Sequence, residues 1–212
     1  MTSFRLPVLL GLSLLCATLS HGATQAPPDP DPANMPAGVY KLEKTHASIT
    51  ARVLHQGFSW YTFRFDNFDA AYSFDPKNPE TSRVQVTVDL KSMNTGNAKA
   101  DKDFPVQFLK ADFFPKASFV STAIKYQGKG KGTMTGDLTL AGVTHPVTLD
   151  VTYLGSGKDM FGILRTGFSA KTVIKRSDFG STAYIPVVGD EVELAIEAEF
   201  IRKADSPAAP AK

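Results

Sequence analysis

The chain has 212 residues, with 23 lysines and arginines against 21 aspartates and glutamates, and a formal net charge of +2 at pH 7. This near balance leaves no basic stripe that could neutralise phosphates, so nucleic acid is not expected as a partner. A single cysteine, Cys16, excludes an internal disulfide and any site built from several thiolates.

Residues 1–22 have the pattern of an export signal. Arg5 supplies a positive charge, the run Leu6–Leu19 is almost wholly apolar, and Ser20 and Gly22 occupy the minus-three and minus-one positions of a cleavage site. An apolar run of about 14 residues is too short to cross a bilayer, which needs about 20. The pattern predicts a cleaved signal peptide over residues 1–22 and a periplasmic mature protein.

Cys16 lies inside the apolar run and allows an alternative, in which the signal ends at a lipidated cysteine. Leu15 is larger than the residue usually found before such a cysteine, so cleavage after Gly22 is preferred. Cleavage there removes the only cysteine, and the mature protein then has no thiol nucleophile and no thiolate metal ligand.

Residues 23–37 form a proline-rich linker, with four prolines between positions 27 and 32. Because proline fixes φ and lacks a backbone donor, we expect a tether that joins neither a sheet nor a helix. Residues 204–212, rich in alanine and proline, are expected to be a disordered tail. Residues 38–203 remain as one domain.

Four segments of this domain alternate apolar and polar residues with a period of two, which is typical of strands with one dry and one wet face. They are residues 61–65, 84–90, 147–153 and 192–200. No stretch of comparable length has a period of 3.6. The sequence therefore predicts an all-β domain that is predominantly antiparallel.

The alternation is lost between Lys91 and Pro115. Asn97 followed by the segment 98–103 predicts a capped helical turn, which we expect to end at Pro105. The connection also carries four phenylalanines and is too irregular for a strand, so it is either a plug of the core or a lid that contacts a ligand. These rings belong to Phe104, Phe108, Phe113 and Phe114.

Ordered motifs over residues 38–202 resemble the YceI-like polyisoprenoid-binding proteins. The most recognisable is the hairpin from Gly136 to Leu149, followed by Arg165-Thr-Gly-Phe168 and Arg176-Ser-Asp-Phe-Gly180. Many matches in the correct order are required over this span, so the resemblance is far more specific than one short motif. Further matching motifs lie at residues 45–49, 53–57, 64–68, 94–101, 108–109, 114–115, 119–122 and 189–192.

Two positions differ from the family pattern. Relatives commonly have a His-Leu-Arg run after the acidic start of the helix, whereas residues 103–105 read Asp-Phe-Pro and are one residue shorter. The Trp-Gly that precedes the arginine strand is Phe161-Gly162 in this chain. A headgroup contact that the histidine or arginine makes in relatives therefore cannot be carried over.

The resemblance implies a lipocalin-like antiparallel β-barrel of about eight strands with a short helical and aromatic connection. It implies a carrier or reservoir that holds a polyisoprenoid, a prenyl quinone or a fatty amphiphile, with no cofactor and with transient membrane contact allowed. An enzyme acting on an isoprenoid lipid, a hydrolase or isomerase, is the alternative. We prefer the carrier, because the sequence pairs no nucleophile with a base.

We assign ligand contacts to the inward positions of the strands, to the aromatic connection and to one histidine near a barrel end. The same side chains could instead fill the core, and alternation alone cannot separate the two cases. Periodicity by itself favours a filled core, whereas the family resemblance implies a cavity. The assigned residues are Tyr61, Phe63, Phe65, Val86, Val88, Phe104, Phe108, Phe114, Leu138, Leu149, Val151, Phe168, Ile196 and His55.

The remaining motifs have plain interpretations. His46, His55 and His145 lack the spacing of metal ligands, so no metal site is expected. We interpret His46 and His55 as polar plugs near a barrel end, and His145 as part of a turn before proline. Gly128–Thr133 lacks the spacing of a phosphate-binding loop and is predicted to be a hairpin tip. The pair Asp190-Glu191 is interpreted as solvated turn residues.

Overall fold

A computed structural model describes residues 26–203, so the predicted signal peptide and the predicted tail at residues 204–212 lie outside the described residues. Within residues 26–203, ten strands and one α-helix follow one another. The strands are β1 (Gly38–His55), β2 (Ser59–Phe65), β3 (Phe68–Phe74), β4 (Arg83–Asp89), β5 (Met93–Asn94), β6 (Lys116–Gly128), β7 (Lys131–Leu140), β8 (Val143–Lys158), β9 (Leu164–Lys175) and β10 (Val188–Arg202). The helix α1 (Ala98–Leu109) lies between β5 and β6.

Antiparallel pairing closes the sheet into a barrel, as predicted. The order around the barrel is β1, β3, β4, β6, β7, β8, β9 and β10, and β10 pairs again with β1. β2 and β3 share one edge of β1, since Ile49 pairs with Phe65 and Lys41 with Ala71. Beside β2 the wall continues through β5, where Phe65 pairs with Met93.

Period-two alternation decides which side chains form the inner wall of the barrel. The four alternating segments predicted from the sequence lie in β2, β4, β8 and β10. In β4, Val84, Val86 and Val88 face the interior, while Gln85 and Thr87 are exposed outside. The inward valines stay only half-buried, because they border open space and not a filled core.

A bulge in β1 changes which residues face inward. Between Glu43 and Ser48 β1 advances five residues (48 − 43), while β10 advances only two, from Glu199 to Glu197 (199 − 197). The three extra residues move the inward set from even positions, such as Leu42, to odd positions, such as Ile49.

The helix begins where the sequence predicts. The side chain of Asn97 accepts hydrogen bonds from the backbone N–H groups of Lys99 and Ala100, at 3.0 and 3.2 Å. These bonds satisfy two of the donors that a helix start leaves without partners. The last turn closes at Lys110, which has a left-handed backbone conformation with φ of 51°.

The prediction that Pro105 ends this helix is wrong, because the helix continues through Pro105 to Leu109. Inside a helix a proline lacks the N–H donor and its ring crowds the carbonyl four residues earlier, but packing can offset that cost. Pro105 is buried, and the neighbouring ring of Phe104 lies 6.0 Å from Tyr61 and 5.2 Å from Phe108. Tertiary contacts on the barrel therefore override the local preference.

The described part of the proline-rich segment is attached to the barrel, contrary to the prediction of a free tether. Asp29 and Ser156 exchange backbone hydrogen bonds of 2.7 and 3.0 Å. Residues 32–34 form a 3₁₀ turn that is capped by the Asp31 side chain and has proline at its start, where no donor is needed. Met35 then enters the core and is only 1% exposed.

Two turns show how prolines and glycines are used. The β6–β7 hairpin turns at Lys129 and Gly130, as predicted. The β7–β8 turn lies at residues 141–142, so His145 and Pro146 belong to β8, contrary to the prediction of a turn there. β8 pairs with β9 only from Asp150 onward, so the missing donor of Pro146 leaves no bond of that ladder broken.

Candidate ligand-binding cavity

The barrel encloses a cavity of about 860 Å³. This volume lies within the range of about 300–1,000 Å³ that is typical of small-molecule sites. Its lining is predominantly aromatic and aliphatic, contributed by the inner faces of the strands and by α1. The inward side chains therefore do not fill the interior, and the filled-core alternative is not observed.

Thirteen of the fourteen residues assigned from the sequence border this cavity. They are contributed by α1 and by strands on every side of the barrel, so the cavity has a continuous apolar wall. The thirteen are Tyr61, Phe63, Phe65, Val86, Val88, Phe104, Phe108, Leu138, Leu149, Val151, Phe168, Ile196 and His55.

Phe114 is the exception, because it lies outside the cavity. Its ring packs on the β7–β8 turn, where a Cβ added to Gly142 would lie 2.5 Å from a ring carbon. The side chain remains 42% exposed. The extension of α1 past Pro105 explains the error, since the chain that leaves the helix at Lys110 carries Phe114 to the outer surface.

One end of the barrel, here named the hairpin end, contains the β6–β7 hairpin and residues 31–35. Asp31, Pro32, Ala33 and Met35 border the cavity at this end. The sequence prediction missed this cover, although Met35 is a large apolar residue in a segment otherwise made of small and polar ones. Its large apolar side chain was the available signal for attachment to the core.

Stacked tyrosines lie beneath that cover. The rings of Tyr40 and Tyr72 are 4.8 Å apart and nearly parallel, and Phe200 meets Tyr72 edge-on at 4.9 Å. The Tyr72 hydroxyl shares a hydrogen bond of 2.8 Å with Thr166 Oγ1. Burial raises the pKa of Tyr72 well above its usual value. The Tyr72 hydroxyl therefore has a buried partner at the hairpin end, whereas among the described residues the Tyr153 and Ser82 hydroxyls there have none.

The opposite end, here named the helix end, contains α1, the 3₁₀ turn Arg176–Phe179 and the loop of residues 180–187. Phe108 lies 6.1 Å from the ring of Tyr184, and Gln107 Nε2 donates to the Tyr184 hydroxyl at 3.2 Å. His55 borders the cavity at this end, with Gln56 as its side-chain neighbour at 3.4 Å. The aromatic connection thus closes this end, as the lid or plug interpretation predicts.

A buried guanidinium occupies the helix end. Arg176 is only 7% exposed and borders the cavity. It donates to the backbone carbonyls of Gly189, Ser181 and Val188 at 2.8, 2.9 and 2.9 Å. Burial lowers the pKa of Arg176, because a charged group loses water there. The sequence prediction listed Arg176 only as a family motif and gave it no site role.

Asp190 corrects another prediction, since it is not a solvated turn residue. Its carboxylate accepts hydrogen bonds from the backbone N–H and the hydroxyl of Ser177, at 2.9 and 2.8 Å. Partial burial opposes ionisation, but these bonds lower the pKa of Asp190 overall. The bonds between Asp190 and Ser177, together with the bond from Arg176 to the Gly189 carbonyl, tie the 3₁₀ turn to the start of β10.

The prediction that His46 plugs a barrel end is wrong. The β1 bulge places it on the outer surface, where Nδ1 contacts the carboxylate of Glu43 and lies 3.8 Å from Glu199. Potential metal-ligating atoms of these three side chains lie within 4.8 Å of one another. Arg165 faces the same carboxylates, at 3.5 Å from Glu43 and 3.1 Å from Glu199, so a guanidinium already supplies the positive charge.

Known proteins are similar to this chain over the whole barrel. A family model described as a YceI-like domain matches residues 40–200. The protein YceI of Salmonella arizonae is 40% identical over 170 residues, which cover 79% of this chain and 88% of that relative. Within residues 26–203, no helix is long and apolar enough to cross a membrane.

Solved structures are similar as well. BcnA of Burkholderia cenocepacia has a TM-score of 0.67 at 27% identity, covering 74% of this chain and 98% of that one. A polyisoprenoid-binding domain from Saccharophagus degradans shares the fold, with a TM-score of 0.56 at 16% identity over 77% of this chain and 98% of that one. With the family model spanning the barrel and a relative at 40% identity, the chain belongs to the YceI-like family.

Proposed function

We propose that this protein is a carrier or reservoir that holds a polyisoprenoid, a prenyl quinone or a related long-chain amphiphile inside its barrel. The observation that carries the proposal is the open apolar cavity of about 860 Å³, which borders both ends of the barrel. The Saccharophagus degradans domain of the same fold is described as polyisoprenoid-binding, which supports a ligand of this class.

The shape of the interior suits an extended tail. β9 has 12 residues. At about 3.3 Å per residue and a tilt of about 35–45°, such a strand spans about 30 Å of the barrel axis. Burying about 400 Å² of tail would contribute about 10 kcal/mol at 25 cal/mol per Å², before ordering costs are subtracted. The hydrophobic effect is therefore the main driving force for retention.

A carrier is favoured over an enzyme by the polar groups that border the cavity. Among the described residues, the side chain that contacts the His55 ring nitrogen is the amide of Gln56, at 3.4 Å. Ser82 and Ser181 also border the cavity, and within residues 26–203 their hydroxyls have no hydrogen-bond partner. A serine nucleophile activated by histidine is therefore not assembled among the described residues.

Exchange with a membrane would use the helix end. Tyr184 and Val187 border the cavity and are also exposed, at 59% and 54%. Phe58 is 86% exposed in the adjoining β1–β2 turn, which bonds to the same loop through Gln56 N–H and the Val187 carbonyl at 2.8 Å. Aromatic side chains of this kind suit the bilayer interface, so we propose transient membrane contact here.

We also propose that the protein is exported to the periplasm, which rests on the signal pattern of residues 1–22. Amino-terminal sequencing of the major soluble species from the native host should give a start near Ala23. A mature species that retains Met1 would contradict export by this route.

Lipid extraction tests the carrier function. Protein purified without detergent should release a prenyl-type or single-chain lipid that mass spectrometry detects, and delipidated protein should take up prenyl quinones or fatty amphiphiles saturably. A variant at the outer hairpin, Lys129→Gln, serves as a control that should retain the same lipid. Absence of both retained lipid and saturable uptake would overturn the proposal.

A further inference from the structure

Arg176 is the one charged side chain that is buried among the described residues. Its three hydrogen bonds to backbone carbonyls use three of the five N–H groups of a guanidinium. Within residues 26–203 no carboxylate forms an ion pair with it, and both oxygens of nearby Asp190 are engaged by Ser177. A buried positive charge with unused donors therefore borders an apolar cavity.

Ser181 adds a second unsatisfied group at the same place. Its carbonyl accepts from Arg176 Nη1 at 2.9 Å, while its buried hydroxyl has no partner among the described residues. Native proteins rarely leave buried polar groups without a partner, and a buried charge is costly unless it is compensated. Both residues border the cavity, so a bound molecule can supply what the chain does not.

We propose that the helix end recognises an anionic, oxygen-bearing head, a phosphate or a carboxylate, and that Arg176 and Ser181 are its hydrogen-bond donors. This inference rests on the proposed function, because the head belongs to the amphiphile whose tail lies in the barrel. The ring of Phe108, which borders the cavity, lies 6.0 Å from the Arg176 Cζ atom. A head at Arg176 therefore places the first part of the tail against an aromatic wall.

The hairpin end also has cations, but of a different kind. Lys125 and Lys131 border the cavity there and are exposed to solvent. An ammonium group in water gains little from an added ion pair, whereas a desolvated guanidinium forms stronger hydrogen bonds to an anion. Among the described residues the Ser82 and Tyr153 hydroxyls at that end are unpartnered, yet no buried cation accompanies them. The head is therefore assigned to the helix end.

Three probes with one C20 prenyl tail test the assignment: geranylgeranyl monophosphate, geranylgeranoic acid and geranylgeraniol. Displacement of a fluorescent fatty amphiphile from delipidated full-length protein gives each Kd. Hydrogen bonds to charged groups predict that both anions bind roughly 10- to 100-fold more tightly than the alcohol. The ratio of alcohol Kd to anion Kd is the readout, since a loss of fold would change all three affinities together.

Variants locate the source of that ratio. Arg176→Gln should bring it close to one with little change in alcohol affinity, and Ser181→Ala should lower it a few-fold. Lys131→Gln, a cation removed from the opposite end, is the matched control and should leave the ratio unchanged. Should Arg176→Gln fail to fold, the wild-type ratio and Ser181→Ala still decide the matter.

Equal affinities of the wild-type protein for alcohol and anions would overturn the headgroup inference and leave the carrier function standing. The inference would also be overturned by a ratio that is unchanged in folded Arg176→Gln or Ser181→Ala, or by one that disappears in Lys131→Gln. If none of the three probes binds, the proposed function fails and the headgroup inference fails with it.

Discussion

The two ends of the barrel are closed by different physical means. At the hairpin end, residues 31–35 cover stacked Tyr40 and Tyr72, and the Tyr72 hydroxyl is satisfied by Thr166. At the helix end, α1 and Arg176–Phe179 form the closure, and polar groups there retain unused hydrogen-bonding capacity.

This difference indicates a direction for the cavity. Among the described residues the hairpin end has no buried charged group, and its Tyr72 and Thr166 hydroxyls satisfy each other, so it is suited to be a floor. A closure with exposed aromatic side chains and a buried guanidinium that keeps unused N–H donors is suited to meet a membrane and the head of an amphiphile.

The largest effect is expected for Phe168→Asp, which places a carboxylate among the aromatic rings near the hairpin end. The Phe168 ring lies 5.6 Å from Tyr72 and 6.1 Å from Phe200, so a carboxylate there would be unpaired in apolar surroundings. The variant should lose several kcal/mol, roughly 3–5, of unfolding free energy or fail to fold. Urea denaturation measures this, with Thr62→Asp on the outer face as control. Unchanged stability and lipid content would show that the register of β9 is shifted by one residue.

Met35→Ala should come next, because it removes the anchor of the cover at the hairpin end. Loss of a fully buried methionine side chain should lower the unfolding free energy by about 2–4 kcal/mol. Met160→Ala is the matched control, since Met160 is 81% exposed and should change stability little. If Met35→Ala unfolds with the midpoint of the wild type, residues 31–35 do not hold this end closed.

Tyr72→Phe should have a smaller effect of about 1–2 kcal/mol, because the buried Thr166 hydroxyl loses its partner. Tyr184→Phe at the helix end is the control, since Tyr184 is exposed and water can replace its contact with Gln107. Equal losses in the two variants would remove the contrast between a buried hydrogen bond at the floor and a solvated one at the entrance.

The same tyrosine predicts a pH dependence. Burial raises the folded-state pKa of Tyr72 above the unfolded value of about 10, so the neutral form is favoured in the folded protein. Its contribution to stability is present below pH 10 and is lost as the pH rises toward the folded pKa. The thermal unfolding temperature of the wild type should fall more steeply above pH 10 than that of Tyr72→Phe. Parallel curves would contradict a buried, protonated Tyr72.

The smallest effect concerns two phenylalanines of the aromatic connection. Phe108 borders the cavity and Phe114 does not, so Phe108→Ala should raise the Kd for a prenyl alcohol about fivefold, roughly 1 kcal/mol. Phe114→Ala should leave that Kd unchanged. A larger effect at Phe114 would mean that the ligand leaves the barrel along the outer turn.

Much of the wall could be predicted from the sequence, because alternation is a local property. The period-two pattern of β2, β4, β8 and β10 fixes which side chains share a face, whatever the strands pair with. Residues such as Phe63, Val86 and Ile196 were placed on the cavity wall for this reason. Whether that wall encloses space or a filled core depends on the curvature of the whole barrel, which no single strand encodes.

The features that the sequence did not determine depend on contacts between distant residues. Asp29 joins the barrel through Ser156, and Pro105 stays helical because Phe104 packs against Tyr61. Arg176 is held by the carbonyl of Gly189, in the next strand along the chain. The sequence by itself determined the strands and their inner faces. Only the tertiary structure decided how each end is closed, because closure joins segments that local periodicity cannot relate.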